Sequence, residues 1–254
     1  MESEALLKKR IKELADKAYR TGIYTFTGFL GMSELSEFYE TERELSFVGC
    51  KVYGGYEGSE RCMLRFGREE EFGYEEAFPI VCLKVRPLMQ KFADNLGNRD
   101  FLGALMNLVI ERSTLGDIVL KENVGYLFCT EAIAPFIIEN LTKVKHTSVL
   151  CEVTQEALPE KEDDLTELKI QVASERIDSV ISKVYKLSRS ESVEYFRQKK
   201  VFVKGRLCEN TSYFMKEKDV VTVRGFGKFI FDKLQGYSKK GKQNVTVLCF
   251  GERR

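Results

Sequence analysis

Residues 176–187 read Arg176-Ile177-Asp178-Ser179-Val180-Ile181-Ser182-Lys183-Val184-Tyr185-Lys186-Leu187, and Ser188-Arg189-Ser190-Glu191 follow directly. Ile177, Val180, Ile181 and Val184 recur at i, i+3, i+4 and i+7, the period of an amphipathic helix, and Leu187 closes the stripe. Arg176 and Lys183, seven residues apart, share a face away from it, with Lys186 about 80° round. Ser188 and Glu191 have the spacing of a capping box: the hydroxyl accepts from the Glu191 amide, and the carboxylate accepts from the Ser188 amide. A second helix therefore starts near Arg189. It turns Val193 and Phe196 inward and leaves Arg189, Arg197 and Lys200 within about 80° of one another.

Beyond Lys199 the period changes to two. Val201 and Val203 point one way, Phe202 and Lys204 the other, and Gly205 supplies the positive φ of a tight hairpin flanked by Lys204 and Arg206. Val221 and Val223 repeat the alternation, and Arg224 and Lys228 add charge around Gly225 and Gly227. Two short helices followed by a small twisted set of strands, with cations on one side, is the expected fold.

The order of these parts is Arg-x-Asp at 176–178, Ser-Arg-Ser at 188–190, Val-x-Val-x-Gly at 201–205 and Asp-x-x-x-Val-Arg-Gly-x-Gly at 219–227. It resembles the alpha-L RNA-binding motif, the module named after ribosomal protein S-four. The resemblance covers about a fifth of the chain and departs from the family at Lys204, where Asn is usual, and at Lys218, where Gly is frequent. Charge and resemblance together nominate Arg176, Lys183, Ser188, Arg189, Ser190, Arg197, Lys199, Lys200, Lys204, Arg206, Arg224 and Lys228 as RNA-binding residues. Ser188 reads first as a helix cap, and Asp178 as a structural partner for a nearby cation.

The net charge of +1 conceals an asymmetry: residues 171–254 hold 19 Lys and Arg against 9 Asp and Glu, residues 1–170 hold 21 against 30. That is the footprint of a polyanion-binding tail on an acidic carrier. Seven scattered Cys without a Cys-x-x-Cys pair, and one His, argue against a zinc module and for reduced thiols in a cytoplasmic setting. No signal-peptide pattern or run of 18 apolar residues is present, so no membrane association is expected.

Residues 1–45 read as a small helical region. The stripe Leu6, Leu7, Ile11, Leu14, Ala15 and Ala18 marks a helix over about 3–20, and a second helix is expected over 32–39. The aromatic stretch 24–31 is expected to pack on the next domain. Residues 46–155 read as an α+β domain: strands at 45–53, 61–66, 79–85 and 147–153, a hairpin over 118–120 and 125–129, and helices at 101–110 and 131–144. Helices segregated to one face of antiparallel strands imply an α+β sandwich of RNA-recognition or ferredoxin-like kind. The acidic stretch 156–164 is the expected linker. Residues 165–254 form the last domain, with strands at 165–172 and 244–250 and a basic loop at 235–242.

The segment 98–118, with Glu60-Arg61 after a Gly-rich loop, resembles the middle domain of the YlmH family, RNA-binding proteins that end in an alpha-L motif. Asn98 stands where the family more often has His. The resemblance implies RNA binding on the ribosome, with a role in rescue of stalled large subunits carrying peptidyl-tRNA and a link to cell division. Arg61, Arg99 and Arg112 are candidates for a second surface.

Catalytic signatures are absent from the sequence. Asn98-Arg99-Asp100 lacks the other parts of a kinase, Gly225-Phe226-Gly227 lacks the third glycine of a dinucleotide fingerprint, and His146 has no partner at nucleophile or metal spacing. The expectation is a non-enzymatic, monomeric binder of structured RNA (rRNA, tRNA) on the large ribosomal subunit, without metal or cofactor. The alternatives are an RNA-modifying enzyme with an alpha-L accessory domain and a protein-interaction adaptor.

Overall fold

Ile11, Ala15 and Ala18 lie on one stripe of α1 (Glu2–Thr21) and are sealed from solvent. They pack with Leu35 and Phe38 of α2 (Met32–Thr41) in a core shared with a three-stranded antiparallel sheet. Its strands, β1 (Thr25–Phe26), β2 (Cys50–Tyr53) and β3 (Met63–Phe66), run in the order β1-β3-β2. Residues 45–53, expected as one strand, begin instead with a 3-10 turn, Glu42–Leu45, and only Cys50–Tyr53 is extended. Leu45 and Val48 both drop into the core, which a strand's alternation forbids, and Gly49 with φ +70° resets the direction. The run Glu69-Glu70-Glu71 opens a single helical turn, α3 (Glu69–Phe72).

The computed structural model describes residues 2–156, 158, 165–238 and 241–250, and the chain divides into two compact units, Met1–Pro159 and Glu160–Arg254. The expected linker 156–164 thus lies, apart from Glu156 and Leu158, outside the described residues. Among the described residues no helix is long and apolar enough to cross a membrane.

The rest of the first unit runs β4 (Ile80–Pro87), α4 (Asn98–Met106), β5 (Leu115–Lys121), β6 (Val124–Thr130), α5 (Ala134–Asn140), β7 (Lys143–Val144) and β8 (Thr147–Thr154). The sheet order is β5-β6-β4-β8-β7, every pairing antiparallel. A βαββαβ order with its first and third long strands adjacent at the centre is the ferredoxin-like arrangement.

Both helices are shorter than periodicity suggests. α4 starts at Asn98 because the Asp100 carboxylate accepts the Gly97 amide at 2.9 Å, and it ends at Met106. The stripe over 131–144 divides: Pro135 sits in the first turn of α5, and Lys143–Val144 leaves the helix to pair with Thr147 and Ser148.

The sheet has two occupied faces. Leu83, Val85, Leu127, Cys129, Val149 and Cys151 meet α4 and α5 through Phe101, Leu105 and Ile137. On the opposite face Val119, Tyr126 and Phe128 meet Phe29 and Met63 of the N-terminal layer. The aromatic stretch after α1 therefore packs on the central sheet. Gly55, with φ +103°, lies so close that a Cβ there would stand 2.2 Å from the Phe128 ring.

The second unit begins with β9 (Leu165–Val172), then α6 (Ile177–Val184), α7 (Arg189–Arg197), β10 (Val201–Val203), β11 (Arg206–Leu207), β12 (Asp219–Val223), β13 (Gly227–Tyr237) and β14 (Gln243–Phe250). Six antiparallel strands in the order β11-β10-β12-β13-β14-β9 enclose a core with Ile177, Val180, Ile181, Val184 and Phe196 from the two helices. Lys204 (φ +50°) and Gly205 (φ +76°) form the two-residue turn between β10 and β11, both left-handed as a primed hairpin turn requires. Of the expected basic loop, residues 235–237 belong to β13, and Lys239 and Lys240 lie outside the described residues.

Candidate nucleic-acid interface

The N-terminus of α7 carries the first group of nominated cations. Ser188 Oγ accepts from the Glu191 amide at 3.2 Å, and Glu191 Oε2 accepts from the Ser188 amide at 2.7 Å. This is the reciprocal cap that the spacing required. Those bonds hold the Glu191 carboxyl below its usual range, with the side-chain bond to Ser188 as the leading cause. Ser190 Oγ lies 3.1 Å from Ser188 Oγ.

Beside the cap, Asp178 is 1% exposed. Its carboxylate accepts a bidentate pair from Arg176, Nε at 3.1 Å and Nη2 at 2.9 Å, together with the Ser179 amide at 2.8 Å. Arg189 Nε approaches Oδ2 to 3.7 Å from the other helix. One buried carboxylate thus brings Arg176 and Arg189 together. The expected inward position of Val193 is held by its neighbour instead: Ser192 is fully buried, donating to the Asp178 carbonyl at 3.1 Å, and Val193 is only half-buried.

A second group forms where α7 ends. The Arg224 amide donates to the Lys200 carbonyl at 2.9 Å, which draws the β12–β13 turn against the helix. Phe226 on that turn is 41% exposed, with ring centroids 4.9 Å from Tyr185 and 5.1 Å from Tyr195. Lys200 Nζ lies 5.7 Å from the Tyr195 ring centre, and the Arg224 guanidinium 5.5 Å from that of Phe202. Lys199 is exposed beside them at φ +52°.

Lys204 makes a third group with Asp219, its Nζ 2.8 Å from a carboxylate that is fully buried. Burial pushes the Asp219 carboxyl up, but Lys204, the Lys216 amide and the Tyr213 hydroxyl outweigh it and hold it below the usual range. The departure from Asn at 204 therefore adds a counter-ion at the cost of a left-handed Lys. The other nominated residues stand apart. Lys183 is exposed in the last turn of α6, Arg206 is exposed on the edge strand β11, Arg197 pairs with Glu194 at 3.5 Å, and Lys228 Nζ lies 5.0 Å from the Phe250 ring centre.

Acidic partners do not remove these cations from use. The side chains of Arg189, Arg197 and Lys204 are 70%, 75% and 59% exposed. The Arg197–Glu194 pair is exposed at both ends and is worth about 0–1 kcal/mol. Arg189 and Lys204 face buried carboxylates, yet their exposed donors remain open to a phosphate offering charge-assisted bonds.

The three arginines nominated for a second surface separate. Arg61 donates from Nε to the Leu115 carbonyl and from Nη2 to the Phe29 and Arg112 carbonyls, each at 2.9 Å. Arg112 Nη1 donates to the Leu115 carbonyl at 2.8 Å, and burial, then the Arg61 charge, pushes its guanidinium down to about 10. Asp117 accepts the Glu60 and Arg61 amides and the Tyr56 hydroxyl. These groups fasten the N-terminal layer to the central sheet. Arg99 is exposed on the first turn of α4. The ferredoxin-like sheet has also lost the face on which RNA-recognition domains stack bases: Tyr126 and Phe128, on its outer side, are 8% and 4% exposed under the N-terminal layer.

Residues 74–157 match the family model described as "Putative RNA-binding domain in YlmH". The chain is 30% identical over 209 residues to the ribosome-associated protein quality control protein P2 of Bacillus subtilis, covering 78% of this chain and 77% of that protein. It is also similar to a solved structure, the cell division protein ylmH from Streptococcus pneumoniae, at 18% identity and a TM-score of 0.48, over 60% of this chain and 91% of that one.

Proposed function

Because the chain belongs to the YlmH family, we propose that it is a non-enzymatic binder of structured RNA that acts on the ribosome in quality control of stalled translation. The observation that carries this reading is the pairing of an RNA-binding family match over residues 74–157 with a cation-rich helix–turn surface in the second unit. In this reading residues 165–254 are an alpha-L-type module, residues 156–164 the linker, and residues 1–45 and 46–155 a helical region and an RNA-binding domain. The module docks on rRNA or tRNA of the large subunit, and the protein works as a cytoplasmic monomer without metal or cofactor.

The proposed chemistry follows from donor type. Arg189 and Arg176, preset on Asp178, offer guanidinium edges to phosphate. Arg224 shares its turn with Phe226, and Lys200 lies over Tyr195, which touches that ring; Lys199 precedes Lys200 in the chain. Phe226 is an aromatic face available to an unstacked base or ribose. Lys204 and Arg206 flank the hairpin turn. RNA helices display shape, phosphates and 2′-hydroxyls more than readable base edges, so recognition is of shape.

The test is reversal of Arg189, Arg197 and Lys200 to Glu together. The variant should lose ribosome co-sedimentation while its circular dichroism and melting stay those of the parent. Ribosome affinity of the parent should fall steeply with salt as displaced counterions cease to drive binding. Retained co-sedimentation of the triple variant, or a flat salt response, sinks the assignment.

A further inference from the structure

The matched domain needs an RNA-facing surface other than its covered sheet. One end of the sheet has the chemistry for it. β4 runs out at Pro87 into Leu88, Met89, Gln90, Lys91 and Phe92, and Leu88, Met89 and Phe92 are 57%, 63% and 72% exposed. Three large apolar side chains in water on one short loop are unlike the scattered single exposures of an ordinary surface.

The loop is fastened at several points. The Leu88 amide donates to the Ser148 carbonyl at 3.0 Å, Gln90 Nε2 to the Glu122 carbonyl at 2.9 Å and the Leu96 amide to Asn123 Oδ1 at 2.9 Å. Asp94 accepts the His146 amide at 3.1 Å and the Thr147 hydroxyl at 3.0 Å. These bonds seat the loop against the β5–β6 and β7–β8 turns, so ordering it on a ligand costs little chain entropy.

The same bonds gather positive charge. Lys91 Nζ lies 5.8 Å from the Phe92 ring centre, Lys121 borders the β5–β6 turn, and Lys145 stands in the β7–β8 turn with Nζ 3.6 Å from Asp100. Arg99 is on the adjoining first turn of α4. Of the acids here, Asp94 and Asp100 are engaged by the His146 and Gly97 amides. Four cations against Asp94, Asp100 and Glu122 leave a positive excess within a stretch, residues 1–170, that is otherwise strongly acidic.

We propose that this loop end is the RNA contact of the first unit, with Phe92 stacking on an unpaired base and Lys91 and Lys145 holding its flanking phosphates. An exposed ring with a cation over it matches a single-stranded or bulged nucleotide, whose base is free to stack, and not a duplex, whose bases are already stacked. The inference rests on the reading that the chain binds RNA.

The chain has no Trp, so Phe92→Trp makes a single reporter. In the full-length protein its emission should be quenched, saturably, by a twelve-nucleotide single-stranded RNA and not by the same sequence as a duplex. Phe92→Ala should bind the single strand about tenfold more weakly, the size of one lost base stack. No quenching in a protein that still co-sediments with ribosomes overturns this site and leaves the broader function standing. Loss of both overturns the RNA-binding reading itself. An emission change of the Phe92→Trp variant on ribosomes that survives digestion of their RNA overturns the proposal in favour of a protein contact.

Discussion

Replacing Asp178 with Asn keeps the shape of the side chain and removes the buried charge that holds Arg176 and the first turn of α6 and faces Arg189 of α7. In the native protein the carboxylate accepts two bonds from Arg176 and one from the Ser179 amide. An amide offers one acceptor oxygen and turns an NH2 towards a guanidinium, setting donor against donor. Hydrogen bonds to charged groups contribute about 1.5–3 kcal/mol each, and stranding one partner of a buried pair costs about 3–5 kcal/mol. Asp178 is 1% exposed but the Arg176 side chain is 31% exposed, so water recovers part of the loss. Arg189, at 3.7 Å and mostly in solvent, adds little. The expected cost is about 2 kcal/mol, which corresponds to about thirtyfold faster amide hydrogen exchange in α6 and α7. Exchange read by mass spectrometry on the intact chain isolates these helices from the first unit. The double variant with Arg176→Gln should cost less than the sum of the singles by at least about 1 kcal/mol. Exchange within threefold of the parent, or strict additivity, refutes the claim that this carboxylate anchors the start of α6.

Other perturbations probe the frame around the site. Gly55→Ala places a Cβ against the Phe128 ring at a backbone angle that L-residues avoid, and should lower stability by at least about 2 kcal/mol in urea denaturation. Lys186 follows α6 at φ +54°, where Gly is the preferred residue, so Lys186→Gly should raise stability by about 0.5–1 kcal/mol despite losing a cation. Burial pushes the Cys129 and Cys151 thiols from 9.0 up to about 12. Neither should react with iodoacetamide at pH 8 in the native state, and both should once unfolded. Since their folded values are the higher ones, their contribution to stability is complete below about pH 9 and is lost as pH rises towards 12; a melting temperature flat from pH 8 to 11 contradicts that.

What could be read from the chain depended on the range of the interaction involved. The stripe of α6 and the Ser188–Glu191 cap are set by residues three and four apart, and both stand where their spacing put them. Val193 is a sound inward choice by hydrophobicity, yet Ser192 takes the buried place because its hydroxyl reaches a carbonyl fourteen residues back. The strand at 45–53 and the long helix at 131–144 failed for the same reason: Val48 answers to the core beneath it, and Lys143–Val144 to a partner strand. Arg61 and Arg112 show the limit for function. An arginine that ties two layers through carbonyls and one that meets phosphate have the same letter, and only burial and partners separate them. Phe92 and Phe226 carried no signal beyond being aromatic among loop residues.

Two acids of the second unit, Asp178 and Asp219, share a place that sharpens the electrostatic argument. Asp178 and Asp219 are both sealed from water, and each lies under cations whose charged ends remain outside. A carboxylate in that position is tolerated because cations and hydrogen bonds compensate its burial: Arg176 and the Ser179 amide at Asp178, and Lys204, the Lys216 amide and the Tyr213 hydroxyl at Asp219. The cations in return lose rotamer freedom before any ligand arrives. For Arg176, two bonds to one carboxylate fix the guanidinium plane; for Lys204, the left-handed turn and Asp219 fix the stem and head together. Long basic side chains otherwise give up about 2 kcal/mol of rotamer entropy each when they settle on a phosphate. Part of that loss has already occurred in folding, and the exposed outer edges keep their remaining donors for a second anion. A surface made this way has less net positive charge than the same cations without acids beneath them, but it presents its donors in a defined arrangement. Under the proposed function, that arrangement is what would favour folded RNA over a diffuse polyanion.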